Sequence, residues 1–268
     1  MNFILIDGSY FIFHRFYALK LWMKHQKDVP DNIELYENDI FVEKFKETFI
    51  SKINEIQKKL KIKNCIKIVG LDCRRNNLWR SKLFDNYKSN RKNNSVEKKF
   101  FEIVFNYKLF EQTDIDHIFK HPNLEADDCL GITTKYLLNK YENSKIWIIT
   151  SDCDYLQLIN DNVIIYDLKY KCLNDKSLGS ADCDKFCKIM MGDKSDNIPS
   201  VFPKCGIKTA LKLYNDKELF NKKVRENETY FKNYNFNKLL IDFDEIPKKL
   251  IDEFIKCSLD NISFNYKN

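Results

Sequence analysis

Residues 146–156 read IWIITSDCDYL, a β-branched apolar run from Ile146 to Thr150 that stops abruptly at Asp152 and Asp154. A run that is short and apolar at every position, rather than alternating, is the pattern of a strand buried on both faces of a parallel sheet. The pattern occurs twice upstream: Phe3 to Ile6 runs into Asp7 in FILIDGSY, and Ile66 to Leu71 runs into Asp72 in IKIVGLD. Val163 to Tyr166 reads as a further strand. Between them, Phe41, Phe45, Phe49, Ile53, Ile56 and Leu60 recur at helical spacing and predict an amphipathic helix covering one sheet face. A helix is expected from Ser95 to Phe110, and another from Leu124 to Tyr141 with Asn123 as its N-cap. Strands alternating with helices predict an α/β domain around a parallel sheet.

Acids gather where these runs end. Asp7, Asp72, Asp152 and Asp154 follow strands, Glu125, Asp127 and Asp128 fall together in NLEADDCLG, and Asp193 and Asp196 in GDKSDNIP. Open α/β sheets bind ligands outside the carboxyl ends of their strands, so carboxylates placed there are candidates for function. Like charges about 4 Å apart repel by roughly 4 kcal/mol at an effective dielectric near 20, so such a cluster needs protons or cations. Hard oxygen donors suit Mg²⁺, with Mn²⁺ as a substitute, better than zinc. Cys183, Cys187, His117 and His121 are the weaker zinc alternative, since no CxxC is present.

The chain has 268 residues and a formal net charge of +6. From Lys58 to Lys99 there are fourteen Lys or Arg against three Asp or Glu, which leaves the remainder acidic. A basic block of this kind is the footprint of a polyanion partner, nucleic acid above all, or else a solvated loop. Nine cysteines, an odd count, read as reduced thiols. MNFILIDG has no signal-peptide character and no apolar stretch is long enough to span a membrane, so a soluble, intracellular protein is expected. Beyond about Ser180 short helices punctuated by Gly and Pro predict a helical region, in which Gly206, Lys208 and Thr209 reach a helix start able to bind phosphate.

Together, IDGSY, DNYKSNR, LEADD, TSDCDYLQL and GDKSDNIPSVFPKCGIKTA resemble, in order and spacing, the 5′ nuclease family: flap endonucleases and 5′ to 3′ exonucleases of bacteria, phages and large DNA viruses. The resemblance covers roughly residues 3–214. It implies a PIN-like nuclease domain over residues 1–184 with a basic helical arch at about 74–112. A helical DNA-binding region over 185–268 would follow, with a helix-two-turn-helix at about 190–216. It assigns Asp7, Asp72, Glu125 and Asp127 to one Mg²⁺, with Asp128 nearby, and Asp152, Asp154 and Asp193 to a second, supported by Asp196. Lys88 matches the arch-base lysine, with Arg91 and Lys92 assisting. Phe13 falls where the family places an aromatic that stacks on a nucleotide, a core role being the competing reading. Arg80 and Lys82 are expected as phosphate contacts.

The implied activity is Mg²⁺-dependent 5′ to 3′ exonuclease and 5′ flap endonuclease action in DNA replication, repair or recombination. A monomer acting in the cytoplasm, or in a host nucleus for a viral chain, is expected. A PIN-like ribonuclease and a DNA-junction binding protein that does not cut are the alternatives. The hairpin departs from the family's GVPGIGPKTA pattern, since VFPKCGIKTA carries one glycine. Binding of duplex DNA and of a K⁺ ion there rests on Gly206, Lys208 and Thr209. No sliding-clamp peptide is visible.

Overall fold

The computed structural model describes residues 1–23, 35–91 and 95–264. Five parallel strands, β1 (Asn2–Asp7), β2 (Ile66–Leu71), β3 (His117–Lys120), β4 (Lys145–Ile149) and β5 (Val163–Tyr166), form one sheet in the order β3-β2-β1-β4-β5. The chain winds outward from β1 in both directions, so the strand order reverses between β1 and β4. At that switch point the connections leave toward opposite faces and open a crevice at the carboxyl edge. Ile6 pairs with Ile149 and Asp7 with Gly70, which puts Asp7, Asp72 and Asp152 along the same edge.

The strands are central because their side chains have somewhere to go on both faces. Phe3, Leu5, Ile68, Ile146 and Ile148 pack on one side against Leu130 and Leu137 of the helix Ala126–Lys140. Ile4, Ile6, Val69 and Ile149 pack on the other against Phe11 and Phe16 of the helix Gly8–Met23 and the Phe41, Phe45, Phe49 stripe of the helix Asp39–Asn54. β3 is absent from the expectations above. It is a four-residue edge strand, HIFK, of which only Phe119 is buried, so its sequence carries little apolar signal.

One expectation is corrected and two others gain detail. Residues about 74–112, expected as a basic helical arch, contribute much to the core: Trp79, Arg80, Tyr87, Phe100, Val104, Leu109 and Phe110 are all buried. The helix Ser95–Asn106 drives Phe100 between Phe16, Phe41 and Phe45, because its apolar face has two helices to cover it. The N-cap of the Ala126–Lys140 helix is Glu125, not Asn123; Asn123 instead donates from Nδ2 to the Asn77 carbonyl at 2.8 Å. The chain beyond 184 packs in two places. Cys183, Cys187, Val201, Phe202, Leu213 and Phe220 build a small helical core, whereas Phe243, Phe254, Leu259 and Phe264 return to pack under the sheet with Phe3 and Phe119.

Candidate active site

A cleft of about 370 Å³ opens at the carboxyl edge of the sheet, lined by Asp7, Asp72, Glu125, Asp127 and Asp152, with Ser9, Tyr10, Phe13, Arg75, Lys88 and Arg91 around them. Each carboxylate is aimed by its own element. Asp7 ends β1 and accepts from the Tyr10 amide at 3.0 Å and the Thr150 hydroxyl at 3.2 Å. Asp72 follows β2 and accepts from the Ala126 amide at 2.8 Å and from Ser9 Oγ. Glu125 and Asp127 stand at the start of the Ala126–Lys140 helix, where the macrodipole favours negative charge. Asp152 follows β4 and accepts from the Asp154 amide at 2.9 Å.

The charges are not comfortable together. Burial, then the charge of Asp72, pushes the Asp7 carboxyl up to about 7. Burial, then Glu125 and Asp128, pushes Asp127 well above the usual carboxylate range. Glu125 goes the other way, to about 2: burial alone would raise it, but the Lys88 and Arg80 cations outweigh that.

A second acid group consists of Asp154, Asp193 and Asp196, with one ligand oxygen from each within 4.8 Å of the others. Burial, then Asp152, pushes Asp154 up to about 6. Asp193 is held down to about 2, burial being outweighed by hydrogen bonds from Lys188 and Ser195. Gly192, at φ +68°, makes the turn that presents Asp193, and a Cβ there would collide with the carbonyl oxygens of Ile198 and Pro199. Only glycine fits both conditions.

Other expected site residues are placed differently. Asp128 is fully buried: it accepts from Arg80 Nη2 at 2.7 Å, Arg80 Nη1 at 2.8 Å, Trp79 Nε1 at 2.9 Å and the Glu125 amide at 3.1 Å. One of its oxygens lies within 4.8 Å of ligand atoms of Glu125 and Asp127, so Asp128 stands beside the metal candidates while bracing Arg80 and Trp79. The expected phosphate contact of Arg80 is corrected. Its guanidinium is buried on Asp128, Glu125 and the Leu240 carbonyl and is not offered to a phosphate. Asp196 is nine-tenths buried, and its oxygens meet Arg91 Nη2 at 2.5 Å, Tyr87 Oη at 3.2 Å and Lys88 Nζ at 3.5 Å.

Lys88 lines the cleft. It adopts φ +55°, its amide donates to the Asp196 carbonyl at 3.0 Å, and its ammonium bonds Glu125. Phe13 lies at the cleft, half-buried, with its ring edge-on to Phe101 at 5.0 Å between centroids. Lys82 is exposed, and Lys92 lies outside the described residues.

Gly206, Lys208 and Thr209 do begin the helix Ile207–Asn215. The left-handed position of that turn is taken by Lys204 at φ +62°, while Gly206 is extended at φ −100°. Lys208, Lys212 and Lys223 surround a separate depression beside that helix. The zinc alternative finds no support in the packing. Cys183 and Cys187 are buried in the small helical core, His121 sits against Phe254 and Glu253, and both candidate metal groups among the described residues are purely acidic. All nine cysteines are free thiols.

Sequence reading missed three residues here. Arg75 donates to the Lys88 and Arg91 carbonyls and so braces the Lys88 turn. Tyr87 bridges Glu125 and Asp196. Lys188 places its ammonium 2.6 Å from Asp154 and 2.5 Å from Asp193. Arg75 and Tyr87 were visible as residues of a basic, aromatic segment, but nothing in the sequence singled out Lys188.

Two acid groups built of hard oxygens, each already holding a lysine ammonium, fit divalent cations by charge and donor type. The fold and this site define a PIN-like α/β protein with an acidic cleft at the switch point of its parallel sheet. The chain belongs to the 5′-3′ exonuclease family: the model for that family's N-terminal, resolvase-like domain matches residues 2–185.

A 5′-3′ exonuclease of Buchnera aphidicola subsp. Acyrthosiphon pisum (strain APS) is 34% identical over 161 residues, covering 58% of this chain and 54% of that protein. A protein of Enterobacteria phage T4 named ribonuclease H is 33% identical over 147 residues, covering 49% of this chain and 47% of that one. The alignments therefore span about half the length of these two relatives. Among solved structures, the T5 D15 protein co-crystallized with metal ions superposes with a TM-score of 0.67 at 18% identity, covering 96% of this chain and 98% of that one. That likeness is one of fold. No helix among the described residues is long and apolar enough to cross a membrane.

Proposed function

We propose that this chain is a Mg²⁺-dependent DNA nuclease with 5′ to 3′ exonuclease and 5′ flap endonuclease activity, hydrolysing phosphodiesters with two metal ions. The observation that carries the reading is the convergence of Asp7, Asp72, Glu125, Asp127 and Asp152 in one cleft, with cationic Lys88 and Arg91 and aromatic Phe13 on its rim. The family name and the Buchnera relative support the same direction. Divalent ions, when bound, supply activation of water and neutralisation of charge at the attacked phosphate. The chain's own residues do the rest. The carboxylates hold and space the ions, Lys88 offers its ammonium to the scissile phosphate, and Phe13 stacks on a base so that the phosphate is held in register.

Lys208, Thr209 and the backbone amides after Gly206, with Lys212 and Lys223 beside them, would grip duplex phosphates away from the cut. A K⁺ ion at that turn, action as a monomer, and use in replication, repair or recombination belong to the same proposal. So does the division into a nuclease portion to about residue 184 and a DNA-binding portion after it.

The test is incubation with labelled 5′ flap DNA in Mg²⁺, beside Asp154→Asn and an EDTA control. Metal-dependent cleavage that the variant loses is the expected result. Tight binding of uncut flap would replace the nuclease with a junction-binding protein. The T4 relative's name supports a second reading, hydrolysis of RNA. An RNA–DNA hybrid of the same shape, cut faster than DNA, would establish it.

A further inference from the structure

Lys188 lies in the last turn of the helix Ala181–Met191, before the Gly192 turn that presents Asp193. Its Nζ is 2.6 Å from Asp154 Oδ1 and 2.5 Å from Asp193 Oδ2, and its side chain is 26% exposed. An ammonium therefore stands where two carboxylates, brought from the turns after β4 and after this helix, converge. The carboxylates are the fixed partners. Asp193 Oδ1 accepts from the Ser195 amide at 2.6 Å and the Ser195 hydroxyl at 2.7 Å, and the Asp154 backbone is tied to Asp152 at 2.9 Å. The lysine is the movable one, a point charge on a flexible four-carbon stem. A small divalent ion binds such oxygens at about 2.0–2.1 Å, so it and the ammonium exclude each other by contact and by charge.

We propose that Lys188 is a tethered counter-ion of the second acid group: it neutralises Asp154 and Asp193 in the metal-free protein, and a divalent ion binds there only by displacing its ammonium. This rests on the reading that Asp154 and Asp193 ligate metal. A site whose competent state is populated about one time in ten binds about tenfold more weakly than the same site left open. Lys188 thereby sets the metal threshold of the second group separately from that of the first.

The experiment is calorimetric titration of Mn²⁺ into the whole chain without substrate, for wild type, Lys188→Met, Lys188→Ala and Asp154→Asn. Lys185→Met serves as the control, because Lys185 lies on the same helix but pairs with Asp242 and Asp244. Both Lys188 variants are expected to bind the weaker of two Mn²⁺ ions about tenfold more tightly, and Lys185→Met to match wild type. Melting in EDTA and in Mn²⁺ supplies the second readout: Lys188→Met should melt below wild type without metal and gain more from it.

Equal or weaker Mn²⁺ affinity in both Lys188 variants, or a melting loss that metal does not reverse, overturns the tether and leaves Lys188 a structural ion pair. If Asp154→Asn binds as many ions as wild type, the metal assignment beneath the proposal fails and the tether fails with it.

Discussion

Arg80 and Asp128 close a two-toothed ion pair, Nη2 to Oδ1 at 2.7 Å and Nη1 to Oδ2 at 2.8 Å, with the two side chains 2% and 0% exposed. The pair clamps the short helix Trp79–Leu83 onto the first turn of the helix Ala126–Lys140, and so fixes where the Lys88 turn meets Glu125. Removing one member leaves a buried charge alone, which costs about 3–5 kcal/mol, whereas removing both costs less. Arg80→Met should therefore lower the urea midpoint strongly at unchanged slope, and Arg80→Met combined with Asp128→Leu should recover part of the loss. A midpoint equal to wild type for Arg80→Met would show that the clamp does not hold the fold.

Acid titration gives a second test. Asp7 at about 7 and Asp154 at about 6 lie above the value of about 3.9 for an unfolded Asp, so between those limits the folded chain holds more protons than the unfolded one. Their contribution to stability is fully present below about pH 4 and is lost as pH rises through 6 and 7. Glu125 and Asp193, both at about 2, act in the opposite sense, but their stabilisation is complete above about pH 5. Metal-free protein in EDTA should thus lose on the order of 4 kcal/mol between pH 5 and pH 8. Metal needs the ionised carboxylates, so the stabilisation given by Mg²⁺ should grow over the same range. Unfolding curves at the two pH values, with and without Mg²⁺, check both signs.

Gly192 and Gly206 should respond differently to alanine. At Gly192 the backbone is left-handed and carbonyl oxygens block a Cβ, so Gly192→Ala should cost about 1–3 kcal/mol or more and weaken Mn²⁺ binding through Asp193. At Gly206 φ is −100° and nothing lies within 4 Å of an added Cβ, so Gly206→Ala should stay within about 0.5 kcal/mol of wild type. Thermal melts of the two variants side by side settle the contrast.

Phe13 tests the stacking role. Phe13→Ala removes a ring that lines the cleft and should weaken substrate binding by about 1–3 kcal/mol, seen as a raised KM, while Phe13→Trp keeps it. A drop in melting temperature at unchanged KM would assign the ring to packing against Phe101 instead.

Much of this protein could be read directly from its residues. Phe3–Ile6, Ile66–Leu71 and Ile146–Thr150 announce strands because burial on both faces demands apolar side chains at every position, and the acids after them mark the binding edge by the geometry of parallel sheets. The Phe41, Phe45, Phe49 stripe announces its helix in the same local way. β3 escaped because an edge strand of four residues needs little apolar pattern.

What the tertiary structure alone decided is how the charges are shared out. The acids Asp127 and Asp128 are neighbours in the chain, yet Asp127 faces the cleft and Asp128 is consumed by Arg80. Lys188 and Lys88 reach carboxylates far from them in sequence, Asp154 and Glu125, and Arg80, in the most basic stretch, is the most deeply buried cation among the described residues. Periodicity reports a residue's side of its own helix or strand, over a few positions. Pairing of buried charges is settled between segments dozens of residues apart, by which oxygen and which nitrogen the packed core brings within hydrogen-bond reach.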